Sequence, residues 1–379
     1  MNRDQLAEQL PHAALAFRGY NVTNLGRSRE LLEHPLYGPT VERHLHELSP
    51  VTAQMLQRHV DLVHFVREGK ERSLDTYGEA ISLILAMEMA QLELLKLHFQ
   101  IDYTAARLSF GYSLGEIAAL VAGRIMAASE AIQVPLSLCD DCVALARDVT
   151  LGILFTRNGE LPQDDIRRLC LRINSEGKGV IGISSYLSPN SLLLMGQRDT
   201  LDRFKQLAAE QLKVKVSLRK NSDIWPPLHT PIVWERNIPN RAAQLMHTLQ
   251  IRLVEPVPTV LSLVTGHLIY TELSARSLIH QWVDHPQRLW EAVCEVLSRD
   301  VKTVIHIGPE PNLIPATFKR LSENIAAQTE KSLSMRALSA AARRKWLQGV
   351  LPERASLMRA PFVKHVILED WLLENAPPK

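Results

Sequence analysis

Cysteine is scarce in this 379-residue sequence: Cys139, Cys142, Cys170 and Cys294 are the whole set. Four thiols in so long a chain do not make a disulfide framework, which points to a reducing compartment and a cytoplasmic protein. A charge imbalance is also missing, since 43 basic side chains face 41 acidic ones. No overall field therefore draws nucleic acid or an anionic membrane. Long apolar runs are absent. The longest, such as Ile81 to Met87, fall well short of the ~20 residues a bilayer requires. Met1 to Leu10 mixes charged and polar residues where a leader would have an apolar core, so neither a leader nor membrane insertion is expected. No internal repeat or low-complexity tract interrupts the chain. Metal-ligand spacing is missing too. Cys139-x-x-Cys142 has no second Cys/His pair, and His44, His46, Glu47, His59 and His64 read as solvated helix faces, so no metal is expected. What remains, 46% hydrophobic and 22% charged, is ordinary globular composition, with length enough for two adjoining domains and a large core.

Apolar spacing divides the chain. From Val41 to Phe99 the period is helical, as in Ala80, Leu83, Ile84, Met87 and Leu94. Ala105 to Phe110 then reads as a short strand, followed by Gly111-Tyr112-Ser113-Leu114-Gly115 and a helix of small residues through Ala122. Between about Val149 and Lys220 the pattern becomes strand (149–156), helix (163–174), two strands (180–186 and 191–196), helix (199–212) and strand (214–218). That β-α-β-β-α-β order predicts an inserted ferredoxin-like subdomain over residues 149–220. Thr259 to Val264, a helix near Ala275 to Arg299, and Thr303 to Ile307 resume the alternation beyond it. The fold class expected is α/β: a largely parallel sheet with flanking helices, formed by residues 1–148 and 221–330, plus the small subdomain. Residues 331–379 form a C-terminal extension, with a basic helix around Ala341, Arg343, Arg344, Lys345 and Trp346 and a closing segment from Val363 to Leu373.

Gly-x-Ser-x-Gly between a strand and a helix is the nucleophile-elbow pattern. Its glycines permit a strained turn that lifts the serine hydroxyl to a helix N-terminus, where the Leu114 N–H would face a developing oxyanion. The longer run Gly111-Tyr112-Ser113-Leu114-Gly115-Glu116, followed by Ala118-Ala119-Leu120-Val121, resembles the elbow of the malonyl-CoA:acyl-carrier-protein transacylase family. Leu228-His229-Thr230-Pro231, just after the expected insertion, is similar to that family's histidine segment. Phe17-Arg18-Gly19-Tyr20 stands where the family has Phe-Pro-Gly-Gln. Gln281 to Pro286, the stretch through Trp290, Val293 and Val296, and Val304 to Leu313 with Gly308-Pro309 resemble its closing helix and Gly-Pro-Gly turn. The similarity spans about Ala13 to Asn324, with extra helical sequence near Val41 to Arg72.

The resemblance implies an acyltransferase of fatty-acid or polyketide-type synthesis. Ser113 would be the nucleophile, His229 the general base and acid, and the N–H groups of Leu114 and Tyr20 the oxyanion donors. It implies an acyl-CoA donor and the phosphopantetheine thiol of an acyl carrier protein as acceptor, with no permanently bound cofactor. Arg343-Arg344-Lys345 reads as a solvated face, though such a patch also suits an acidic carrier.

Three departures stand out. Tyr112 replaces the family's histidine before the serine and alters the wall of the acyl pocket. Gly19-Tyr20-Asn21-Val22-Thr23 keeps an N–H but not the family's loop chemistry. The arginine that pairs with a malonyl carboxylate has no counterpart, because that stretch falls on Leu138-Cys139-Asp140-Asp141-Cys142. Leaving such a carboxylate unpaired in a buried site costs ~3–5 kcal/mol. Arg124 and Arg147 are the nearby cations that would have to substitute. An uncharged acyl group is thus a rival to malonyl. Two other readings use the same residues: an acyl-thioester hydrolase, with water as acceptor, and a non-catalytic scaffold that retains the fold.

Overall fold

Ala13–Phe17 (β1) is buried at every position, as expected of a central parallel strand covered on both faces. The computed structural model describes residues 1–157, 159–268, 270–271, 273–330 and 354–377. Beside β1 run Leu108–Gly111 (β2) and Thr303–Ile307 (β8), both parallel to it, with Ala16 opposite Phe110 on one side and His306 on the other. Val260–Leu261 (β7) flanks β2 and Lys364–Ile367 (β9) flanks β8, giving a five-stranded parallel sheet in the order β7-β2-β1-β8-β9. The Tyr77–Phe99 helix is apolar on nearly every side, and it is buried on nearly every side.

The second sheet is antiparallel. Val149–Phe155 (β3), Ile181–Ser188 (β4), Ser191–Gln197 (β5) and Ser217–Lys220 (β6) lie in the order β4-β5-β3-β6, with the helices Gln163–Ser175 and Thr200–Gln211 on one face. This is the ferredoxin-like arrangement, and strand alternation gives its two faces separate jobs. Leu154, Leu192 and Leu194 pack on Ile166, Leu169, Leu201 and Phe204 of the two helices. Leu151 and Met195 point the other way, onto Ile232 and Trp225.

Two local expectations change. The helix expected across 275–299 is two helices, Ala275–Asp284 and Leu289–Ser298. Pro286 cannot donate to a helical carbonyl and disfavours the helical conformation before it, so the chain breaks there. Part of the expected C-terminal extension belongs to the main sheet: β9 covers the edge of β8, and the Leu368–Glu374 helix buries Trp371 and Leu372. The basic stretch at Ala341–Trp346 lies outside the described residues.

Candidate active site

β2 ends at Gly111, and the helix Leu114–Ala122 begins one residue after Ser113. Ser113 holds φ 54° and ψ −117°, a conformation that costs a non-glycine residue ~1–3 kcal/mol. Four hydrogen bonds hold the turn. Tyr112 O accepts from Gly115 N–H at 2.9 Å and Ser113 O from Glu116 N–H at 2.9 Å. The Trp282 indole N–H donates to Ser113 O at 2.8 Å, and Ser113 N–H donates to Gln287 Oε1 at 3.0 Å. Gly115 is required here because any side chain would strike the Phe17 and Arg18 carbonyls at the end of β1. As the first residue of the helix, Leu114 has an N–H without an intrahelical partner, at the positive end of the helix dipole.

His229 reaches Ser113 from the segment that follows the small subdomain. Its backbone sits at φ 65°, and its N–H donates to Val283 O at 2.8 Å. Nε2 lies 2.7 Å from Ser113 Oγ, and Nδ1 lies 2.7 Å from Trp282 O. A carbonyl only accepts, so the ring proton sits on Nδ1 and the Nε2 lone pair faces the serine O–H. Among the described residues no carboxylate orients the ring; the Trp282 carbonyl does. The Gln287 amide nitrogen, 3.4 Å from Nδ1, is too distant to displace that carbonyl. Burial lowers the imidazole from its usual 6.5 to about 4, against the opposing pull of the Trp282 carbonyl and the Asp284 charge. At neutral pH the histidine is uncharged, the form able to take a proton.

Around this pair lies a cavity of about 550 Å³ between the main sheet and the underside of the small one. Tyr112 lines it, its phenol pushed up to about 12 by burial and hydrogen-bonded to Ser185 of β4. Tyr20 also lines it, on a loop pressed so closely against the elbow that a side chain at Gly19 would meet the Tyr112 carbonyl. The other residues named as pocket candidates lie elsewhere: Leu138 is buried outside the lining, and Arg124 and Arg147 are exposed outside it. Arg124 follows the Gly123 cap of the elbow helix in a left-handed turn, and Arg147 caps the Cys139–Ala146 helix, so both stand at exposed helix ends.

Gln287 and Trp282 join the site without a sequence motif of their own. Gln287 is fully buried, and its backbone is stitched to β4: Tyr186 N–H donates to Gln287 O at 2.8 Å, Gln287 N–H to Ser184 O at 2.9 Å, and the Ser185 hydroxyl to Gln287 O at 3.1 Å. The signal for it was Pro286, which ends the preceding helix and leaves the next residue in a loop. Glu116, the last residue of the elbow motif, lies beneath the site, where its carboxylate accepts from Ser262 Oγ at 2.6 Å, Tyr270 OH at 2.8 Å and Leu263 N–H at 3.1 Å. Among the described residues no group of His, Cys, Asp or Glu side chains could hold a metal ion. No described helix is long and apolar enough to cross a membrane.

Solved structures with this architecture are known. A malonyl-CoA:acyl carrier protein transacylase from Xanthomonas oryzae superposes with a TM-score of 0.65 at 20% identity, covering 82% of this chain and 91% of that one. The chain has the transacylase fold. A malonyl-transacylase solved in complex with a type II polyketide acyl-carrier protein superposes at 0.61, with 18% identity, over 81% of this chain and 92% of that one. In sequence, polyketide synthase GfsA of Streptomyces halstedii is 24% identical over 302 residues, which is 78% of this chain. The chain matches only about 4% of the length of that curated relative. No protein-family model matches the chain. Within the transacylase fold, the parallel sheet presents the elbow and the small antiparallel sheet lies across it.

Proposed function

We propose that the protein is an acyl-CoA:acyl-carrier-protein acyltransferase of fatty-acid or polyketide-type synthesis, working through an acyl-enzyme on Ser113. The observation that carries this is the 2.7 Å approach of neutral His229 Nε2 to Ser113 Oγ on a strained elbow open to a large cavity. As Oγ attacks the thioester carbonyl, its proton passes to Nε2. The tetrahedral oxyanion is held by the N–H groups of Leu114 and Tyr20. Collapse expels the CoA thiolate, which takes the proton from His229, and the acyl ester remains. The pantetheine thiol of a carrier protein then gives its proton to Nε2 and attacks the ester, and Ser113 leaves with the proton restored. The acceptor assignment is supported by the carrier-protein complex of the transacylase named above.

Intact-mass measurement after exposure to acyl-CoA thioesters tests the first half-reaction. One acyl adduct on the wild type and none on Ser113→Ala is expected, and addition of holo carrier protein should move the acyl group onto the carrier thiol. An adduct that persists on Ser113→Ala would overturn the nucleophile. Loss to water at the same rate with and without carrier would make the protein a hydrolase.

A further inference from the structure

One wall of the cavity is mainly aromatic and aliphatic, its buried polar atom being the Trp225 indole N–H, unpartnered among the described residues. The Tyr20 ring meets Tyr77 edge-on at 4.7 Å between centroids and Trp225 at 6.3 Å. Trp225 packs with Leu151 and Met195 on the underside of the small sheet, and Leu228 joins this wall to His229. Among the described residues the cationic side chains that line the cavity are Arg18 and Arg320. The Arg18 guanidinium donates to the carbonyls of Gly19, Thr23 and Pro309 and to Asn24 Oδ1. Arg320 is exposed on the Leu313–Glu330 helix, which forms another side of the cavity. His229 and His306 are both held neutral by burial. The thiols Cys139 and Cys142 back this wall through their closeness to Tyr77, and burial pushes both well above the ordinary thiol range, so they are uncharged and protonated.

We propose that this wall is a sleeve for an uncharged acyl chain of several carbons, so that the preferred donor is a saturated acyl thioester and not a carboxyacyl one. A free carboxylate would lose its water there and meet no cation in return, whereas each methylene would leave water for apolar contact. The proposal rests on acylation at Ser113, and it makes a separate statement about what the site accepts.

The test has two readouts. Rates of wild-type acylation are measured with acetyl-, butyryl-, hexanoyl- and malonyl-CoA, and binding of the same thioesters to Ser113→Ala is measured by calorimetry. Acylation efficiency is expected to rise about fourfold per methylene while the sleeve fills, with malonyl roughly a hundredfold below butyryl. Binding to Ser113→Ala should rank the thioesters in the same order. Met195→Trp or the half-buried Ile153→Trp, whichever folds, should bring the hexanoyl-to-acetyl labelling ratio down to about one. Malonyl labelling as fast as butyryl, or a flat response to chain length in both readouts, overturns the sleeve and leaves the nucleophile standing. If nothing labels Ser113 and Ser113→Ala still binds hexanoyl-CoA at least about tenfold more tightly than malonyl-CoA, the sleeve stands and the acyl-enzyme reading falls.

Discussion

As the proposed base, His229 has the Trp282 carbonyl on Nδ1 and, among the described residues, no carboxylate there, and its behaviour with pH should show that. Burial puts the imidazole at about 4, so the acid limb of the acylation rate is expected near that pH, with a plateau through neutrality. A limb near the unperturbed 6.5 would mean that the ring is solvated in the working enzyme. His229→Ala should slow acylation by ~10²–10⁴-fold, measured by quenched-flow mass spectrometry. At this scale the sequence was informative where a role sits in a short motif and silent where it depends on tertiary position. The elbow and the His-Thr-Pro segment carry their own signatures, and the structure brings Ser113 and His229 within 2.7 Å. Gln287 has none, because its place depends on where a helix stops. Arg124 and Arg147 are reasonable by residue type, yet each stands just past the end of a helix and at the surface.

The elbow element depends on a buried carboxyl. Glu116 is pushed up from 4.5 to about 7 by burial, against hydrogen bonds from Ser262, Tyr270 and Leu263. The folded state therefore keeps a proton that the unfolded chain releases, and the wild type loses stability as pH rises from about 4.5 to about 7. Glu116→Gln does not titrate. Its stability relative to the wild type should thus climb across that window, by up to ~3 kcal/mol in urea denaturation. A difference independent of pH would show that Glu116 is ionised throughout. Elements were legible where periodicity runs long. The β-α-β-β-α-β insertion and β8 follow their patterns closely, and two-residue β7 falls within the expected 259–264 segment, while four-residue β9 is too short to display a pattern. The break at Pro286 was written in the sequence, but strong apolar spacing on both sides concealed it.

At the scale of the whole molecule, the closing helix fastens the chain's far end to its beginning. The Trp371 indole N–H donates to Met1 O at 2.7 Å, its ring packs on Phe99, and the Tyr37 hydroxyl donates to Leu372 O at 2.9 Å. Trp371→Ala should cost ~3–5 kcal/mol in chemical denaturation, as much as a change in the central core. A loss below ~1 kcal/mol would make residues 364–374 an appendage rather than part of the sheet domain. A second connection joins the two sheets. Gln287 has its backbone in the edge of β4 and its amide on the Ser113 N–H, so one residue serves both. The small subdomain therefore cannot tilt away from the main body without tugging on the nucleophile. A force applied to the roof, such as a docking carrier would exert, is expected to shift the Ser113 geometry, with Gln287 as the pivot. Ser185→Ala removes a bond on that pivot together with the hydroxyl partner of Tyr112. It should change global stability by only about 1 kcal/mol yet lower the acylation kcat several-fold. An unchanged kcat would show that the two sheets move independently.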